Sequence, residues 1–336
     1  MPWAMDAMDA MDREKKARLA SNIRDFWLPP VIPRRRFEDV TALEFLRDYV
    51  SMSQPVVLTD LPSAQWPCFD RWTEQFLLST LGPSLVSVNV TPDGRADAVR
   101  GLEAAHGGRC FAKPLEERMS FQEFWKSLSG SDEVHYLSRQ NDSLREEFPA
   151  LLEDVPGILP LAKDVCGNEP EAVNLWIGDD RSVSSCHKDP YENFYVVVRG
   201  EKIFTLLPPA SAPFLHESHF PSATYRRTTD GQLEAVLDEG DPDATSLPWI
   251  PFDVCDVHVA ESFPDFAEFG ASLALDVSVK ERELLYLPAM WYHRVAQKGV
   301  TIAVNYWHDM QIGHAYLHHQ FLRDAFGMDT FPESES

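Results

Sequence analysis

The chain has 336 residues, 44% hydrophobic and 25% charged, the balance of a soluble globular protein. A formal charge of −23 argues against autonomous DNA or RNA binding, which needs a basic face for phosphates, and suits either plain solubility or a basic protein partner. No apolar run reaches the roughly 18 to 20 residues that a membrane span requires, so no membrane association is expected. The acidic start also lacks the basic flank and apolar core of a secretory signal. Five cysteines without CxxC spacing fit reduced thiols, and hence a cytoplasmic or nuclear protein.

In chain order, the Met-Asp-Ala repeat over residues 5 to 12 has low complexity and is expected to be disordered. Arg13 to Trp27 reads as helical until Pro29, Pro30 and Pro33 interrupt it. Residues 1–35 therefore form a disordered start and a helical extension, and 36–336 a single domain. Thr41 to Tyr49 reads as a helix, 55–59 as a strand, Trp72 to Leu81 as a helix and Leu85 to Val90 as a strand. Ser120 followed by Glu123 is a capping-box signature that opens another helix. From Val173 onward short β-rich runs dominate, at 173–177, 182–187, 193–198, 202–207, 272–279, 284–287 and 300–307. Turn signals between them predict an antiparallel sandwich or barrel. Residues 208–271 read as an insertion covering one end of it. His314 to Phe326 returns to helix, with Leu317, Phe321 and Ala325 on one stripe that packs on the domain or, as the alternative, on a second copy.

Chemistry gathers in the β-rich half. His187 and Asp189 are two apart, so on a strand they share a face. They supply one half of a two-histidine, one-carboxylate set for non-haem iron, or else a surface pair at a strand end. Gly200-Glu201 fits a two-residue hairpin turn, which would pair Arg199 with Lys202. Alternation then puts Asn193, Tyr195, Val197 and Lys202 on one side, with Lys202 either in the site or solvated at the hairpin mouth. His293 follows an apolar run and opens a strand that is expected to turn back at Gly299. It is either a third ligand or a satisfied core histidine.

The joint pattern is more specific than its parts. H-x-D, a lysine fifteen residues after the first histidine, L-Y-L-P-A-x-W-x-H and A-V-N-x-W together resemble the JmjC (jumonji) Fe(II)- and 2-oxoglutarate-dependent oxygenases. The resemblance covers about residues 36 to 320. It implies a mainly β domain with flanking helices, the double-stranded β-helix or jelly roll of cupins. It also implies that His187, Asp189 and His293 ligate Fe(II), and that Lys202 pairs with the far carboxylate of 2-oxoglutarate with help from Tyr136. Ser184 stands where relatives carry threonine, keeping the hydroxyl and losing a methyl. Asn193, Tyr195, Asn305 and Trp307 match pocket-lining positions, although the aromatic residues could equally be core.

Thr91 to Gly101, Ala172 to Gly178 and His187 to Tyr195 resemble a lysyl hydroxylase branch of that family. This branch implies O2-dependent hydroxylation at C-3 of a lysine in a protein substrate, with developmentally regulated GTP-binding proteins as the partner class and a homodimer as the expected assembly. A JmjC lysine demethylase would use the same centre on an N-methyl group. A cupin-like binding protein without turnover would instead be expected to lack a triad residue or the lysine. A peptidase reading finds no HExxH motif or nucleophilic triad. Asp179, Asp180 and Glu192 are either receivers for a basic substrate side chain or solvated loop acids.

Overall fold

The computed structural model describes residues 2–102, 108–238 and 246–328. Residues 239–245 of the 208–271 insertion and the last eight residues of the 36–336 domain lie outside the described residues. No described helix is long and apolar enough to cross a membrane.

Two long strands, Tyr191–Leu207 and Tyr292–Asp309, run antiparallel along their whole lengths, from the pair Tyr191 and Asp309 to the pair Leu207 and Tyr292. Each bends once and so belongs to two layers. The first layer joins 191–197 and 301–309 to the strands Ala172–Gly178, Glu283–Leu287 and Val56–Thr59. The second joins 202–207 and 292–297 to Leu275–Lys280 and Val183–His187. Between the layers lies one apolar core that includes Tyr195, Val197, Phe204, Leu206, Val279, Leu285 and Ala303. This is the jelly roll that the family resemblance implied, and it satisfies the antiparallel sandwich or barrel expected from the strand pattern.

The hairpin at Gly200 is a correction. The chain does not reverse there; the strand continues through a register shift between Val197 and Glu201. Gly200 has φ +78°, and a Cβ at that position would lie 2.5 Å from Thr301 Oγ1. The bend therefore needs glycine for its conformation and for the close approach of the partner strand. Gly299, with φ +61°, sits in the matching bend of Tyr292–Asp309, which likewise does not turn back. Because the bulge moves alternation by one residue, Tyr195 and Val197 before it share the inner face with Phe204 and Leu206 after it. Lys202 reaches the inner face for that reason, and not through a turn.

Helices cover the outer face of the first layer, where Phe194, Val196, Tyr286, Val304 and Tyr306 meet Phe45, Trp66, Phe69 and Leu77. Two of these helices begin in full capping boxes, Thr41 with Glu44 and Ser120 with Glu123. The expected disorder over residues 5 to 12 is replaced by a helix spanning Pro2–Phe26. Ala and Met carry high helix propensity, and no breaker separates the repeat from the segment that follows. That helix docks on the insertion through Lys16 to Asp265 at 2.8 Å.

The C-terminal helix His314–Ala325 is also turned from its expected face. Leu317 and Phe321 are each 65% exposed, while His319, Leu322 and Arg323 are buried. Arg323 donates to Glu217 at 2.6 Å, so a buried ion pair orients the helix against its apolar stripe.

Candidate metal and keto-acid site

His187 ends the strand Val183–His187 and pairs directly with His293 at the start of the neighbouring long strand. Directly paired residues share a face, and the two imidazole centroids lie 4.3 Å apart. Asp189, two residues on, places Oδ2 3.7 Å from His187 Nε2 and 3.5 Å from His293 Nε2. All three ligand atoms fall within 4.8 Å of one another.

The backbone fixes both tautomers. His187 Nδ1 faces the Ser185 carbonyl at 2.7 Å, and His293 Nδ1 faces the Trp291 carbonyl at 3.0 Å. A ring that donates through Nδ1 keeps its Nε2 lone pair for a metal. Burial holds the His187 pKa below its ordinary value, aided by the neighbouring His293. Burial works against the Asp189 carboxylate, but the two imidazoles and Lys188 outweigh it and keep it ionised.

The three residues line a cavity of about 350 Å³. Tyr136, Ser184, Asn193, Tyr195, Asn305 and Trp307 line the same cavity. The inward pairs Asn193 with Trp307 and Tyr195 with Asn305 follow from the register of the long strands. Asn305 Nδ2 donates to Asn193 Oδ1 at 3.1 Å and its Oδ1 accepts from Trp176 Nε1 at 2.8 Å, so both amides are partnered as buried amides require. Tyr195 packs edge-on against Phe204, and Trp307 stacks on Tyr191 at 4.8 Å.

Lys202 stands just behind the cavity wall, 1% exposed. Its ammonium donates to Tyr136 Oη at 3.0 Å and to Gln297 Oε1. Both partners are neutral, and burial draws its pKa down to about 7. Burial raises the Tyr136 pKa, against a hydrogen bond with Ser184. Ser184 thus reaches the same end of the cavity as Lys202 and Tyr136.

Several contributors carried no assignment in the sequence. Gln297 shares strand parity with His293, so alternation alone could have found it. Trp176 lies in the segment Ala172 to Gly178 and lines the cavity, where strand alternation with Asn174 and Gly178 carries no signal of its role. Trp249 comes from the insertion, with its ring 5.9 Å from His187 and nearly parallel to it. Nothing in the local sequence around Trp249 signals that contact. The three acids proposed as substrate receivers are placed elsewhere. Asp179 is buried against Arg181 at 2.6 Å, and Glu192 accepts from Tyr286 at 2.6 Å. Neither they nor Asp180 line the cavity.

Residues 42–314 match the family model described as a cupin-like domain. The chain is also similar to JmjC domain-containing protein E of Dictyostelium discoideum, 36% identical over 334 residues and covering 92% of each chain. The chain belongs to the cupin-like JmjC family. A second JmjC relative is the human bifunctional peptidase and (3S)-lysyl hydroxylase JMJD7, 35% identical over 96% of this chain and 99% of that one. A third, lysine-specific demethylase JMJ32 of Arabidopsis thaliana, is 40% identical over 84% of this chain and 83% of its own.

JmjC proteins are Fe(II)- and 2-oxoglutarate-dependent oxygenases, and the residues present fit both groups. Two Nε2 lone pairs and a carboxylate oxygen form a donor set for a divalent iron with open positions. At the other end, a buried ammonium held only by neutral groups lacks the anion that would offset its desolvation.

Proposed function

We propose that this protein is an Fe(II)- and 2-oxoglutarate-dependent protein hydroxylase that acts at C-3 of a lysine side chain. The observation that carries this reading is the pairing, around one cavity, of the His187–Asp189–His293 set with the buried Lys202 and Tyr136. When bound, iron and keto acid supply the oxidising power, coupling O2 use to conversion of 2-oxoglutarate into succinate and CO2. His187, Asp189 and His293 would hold the metal through their inward atoms. Lys202, Tyr136 and Ser184 would hold the far carboxylate, through charge-assisted hydrogen bonds. The paired Asn193 and Asn305 fix the polar floor, and Tyr195, Phe204 and Trp307 exclude water from the wall.

Lysyl hydroxylation is supported by the activity for which the human relative is named, and that relative aligns over nearly the whole chain. The sequence resemblance supports a developmentally regulated GTP-binding protein as the carrier of that lysine. The test is capture of proteins on an Asp189→Ala trap variant, followed by turnover of captured lysine peptides, methylated and unmethylated. Gain of one oxygen on unmethylated lysine is expected. Loss of a methyl group, with no oxygen retained, would replace hydroxylation by demethylation.

A further inference from the structure

Asp97 was given no role in the sequence, yet it lines the cavity that holds the metal ligands. It follows the short strand Arg95–Ala96, which runs parallel to Val183 and Ser184. Its φ of +50° lies in the left-handed region, which aspartate tolerates better than most residues. Ser185 holds this bend by donating its hydroxyl to the Asp97 carbonyl. The same Ser185 hydroxyl accepts from Trp249 Nε1 at 3.1 Å, and the Ser185 carbonyl faces His187 Nδ1. One serine therefore ties the acid, an aromatic wall and the first metal ligand together. Phe111 extends the wall, with its ring 4.6 Å from that of Trp249.

The Asp97 carboxylate has no hydrogen bond or ion pair among the described residues. The cations around this end of the fold are held by other acids. Lys113 pairs with Asp238 at 2.8 Å, Lys188 with Glu217 at 2.7 Å, Arg95 with Asp253 at 3.3 Å and Arg100 with Asp93 at 2.7 Å. Burial raises the Asp97 carboxyl to about 6, with only the more distant Lys113 opposing. An unpaired, half-buried acid is costly to keep ionised, and a cation arriving from outside would relieve that cost.

We propose that Asp97 receives the ε-ammonium of the substrate lysine, with Trp249 and Phe111 flanking its aliphatic stem. This rests on the lysyl reading of the site and names the residue that selects the side chain. A carboxylate beside aromatic rings suits a compact ammonium, which gains from both. The plain alternative is that Asp97 only serves the left-handed bend. Asparagine tolerates that bend equally well, so Asp97→Asn removes the charge and keeps the conformation.

The experiment compares the wild type and Asp97→Asn on two peptide pools, one centred on lysine and one on norleucine, its uncharged analogue. Oxygen incorporation is read by mass spectrometry, with kcat and KM determined separately. The wild type is expected to favour lysine. Asp97→Asn is expected to raise KM for lysine peptides roughly tenfold or more, with a smaller change for norleucine, so that the preference collapses. An unchanged lysine preference in Asp97→Asn overturns the inference and leaves the lysyl reading standing. Equal loss on both pools also overturns it, since charge selection would then not be involved. Failure of the wild type to oxidise any lysine defeats the lysyl reading and this inference with it.

Discussion

His187 and His293 are directly paired residues on neighbouring antiparallel strands, and each turns Nδ1 toward a backbone carbonyl two residues earlier. The pairing puts both Nε2 atoms on the side where Asp189 arrives. Strand register thus does most of the work of building the triad, and the backbone sets its protonation.

On the proposed reading, replacing His293 with alanine removes one of the three metal ligands. Metal content after reconstitution with Fe(II) should fall with it, and affinity should drop by at least about 100-fold, more than the loss of an outer partner costs. Unchanged metal content in the variant, measured by elemental analysis, would contradict the assignment.

Lys202→Met should separate stability from function. The buried ammonium has only neutral partners, so an isosteric apolar side chain should leave the ligand-free protein as stable or more stable in thermal melts. KM for 2-oxoglutarate should rise by about 10- to 100-fold, the value of a charge-assisted bond. A variant with normal KM would show that another group receives the far carboxylate.

The pH dependence follows from the same lysine. Burial lowers its pKa from 10.5 to about 7, so between these values the unfolded chain binds more protons than the folded one. The penalty for burying the ammonium is therefore full below about pH 7 and is relieved as pH rises through the window. A bound carboxylate restores the ammonium, so binding should take up close to one proton at about pH 8.5 and almost none at about pH 6. Calorimetry in buffers of different ionisation enthalpy counts that proton. No uptake at the higher pH would contradict a carboxylate beside Lys202.

Gly178 offers a test that leaves every ligand in place. A Cβ there would lie 2.6 Å from Tyr136 Cδ2 and 2.7 Å from Gln297 Nε2. Gly178→Ala must therefore displace the groups that hold Lys202. Weaker 2-oxoglutarate binding, by about tenfold, with normal iron content is the expected split. Loss of iron with normal keto-acid affinity would be the wrong pattern.

Lys188 lies between His187 and Asp189, lines the same cavity, and pairs with Glu217, which also holds Arg323. Glu217→Ala leaves two cations without their shared acid and should destabilise the fold by about 3 kcal/mol. Denaturant unfolding measures this directly. A change below about 1 kcal/mol would show that the network is solvated in practice.

The residues of the triad and Lys202 were legible because their spacing is local and strand alternation is simple. The path between them was not. Gly200-Glu201 satisfies the chemistry of a tight turn, but the strands that pair with each half of Tyr191–Leu207 arrive only at residues 275–287. Only those distant partners decide between a turn and a bulge. The face by which the C-terminal helix packs on the domain was hidden for a related reason. Its buried face is set by Arg323 meeting Glu217, a long-range ion pair that an apolar stripe cannot reveal. Asp97 and Trp249 meet at Ser185, beside His187, through long-range contacts invisible to motif and periodicity.

The most direct test is anaerobic titration of the Fe(II)-loaded protein with 2-oxoglutarate, followed by visible absorption. Chelation of the keto acid by iron produces a metal-to-ligand charge-transfer band. The wild type should develop the band and saturate, Lys202→Met should need far more keto acid, and His293→Ala should give none. A wild type that binds Fe(II) but shows no band at saturating 2-oxoglutarate would contradict the account.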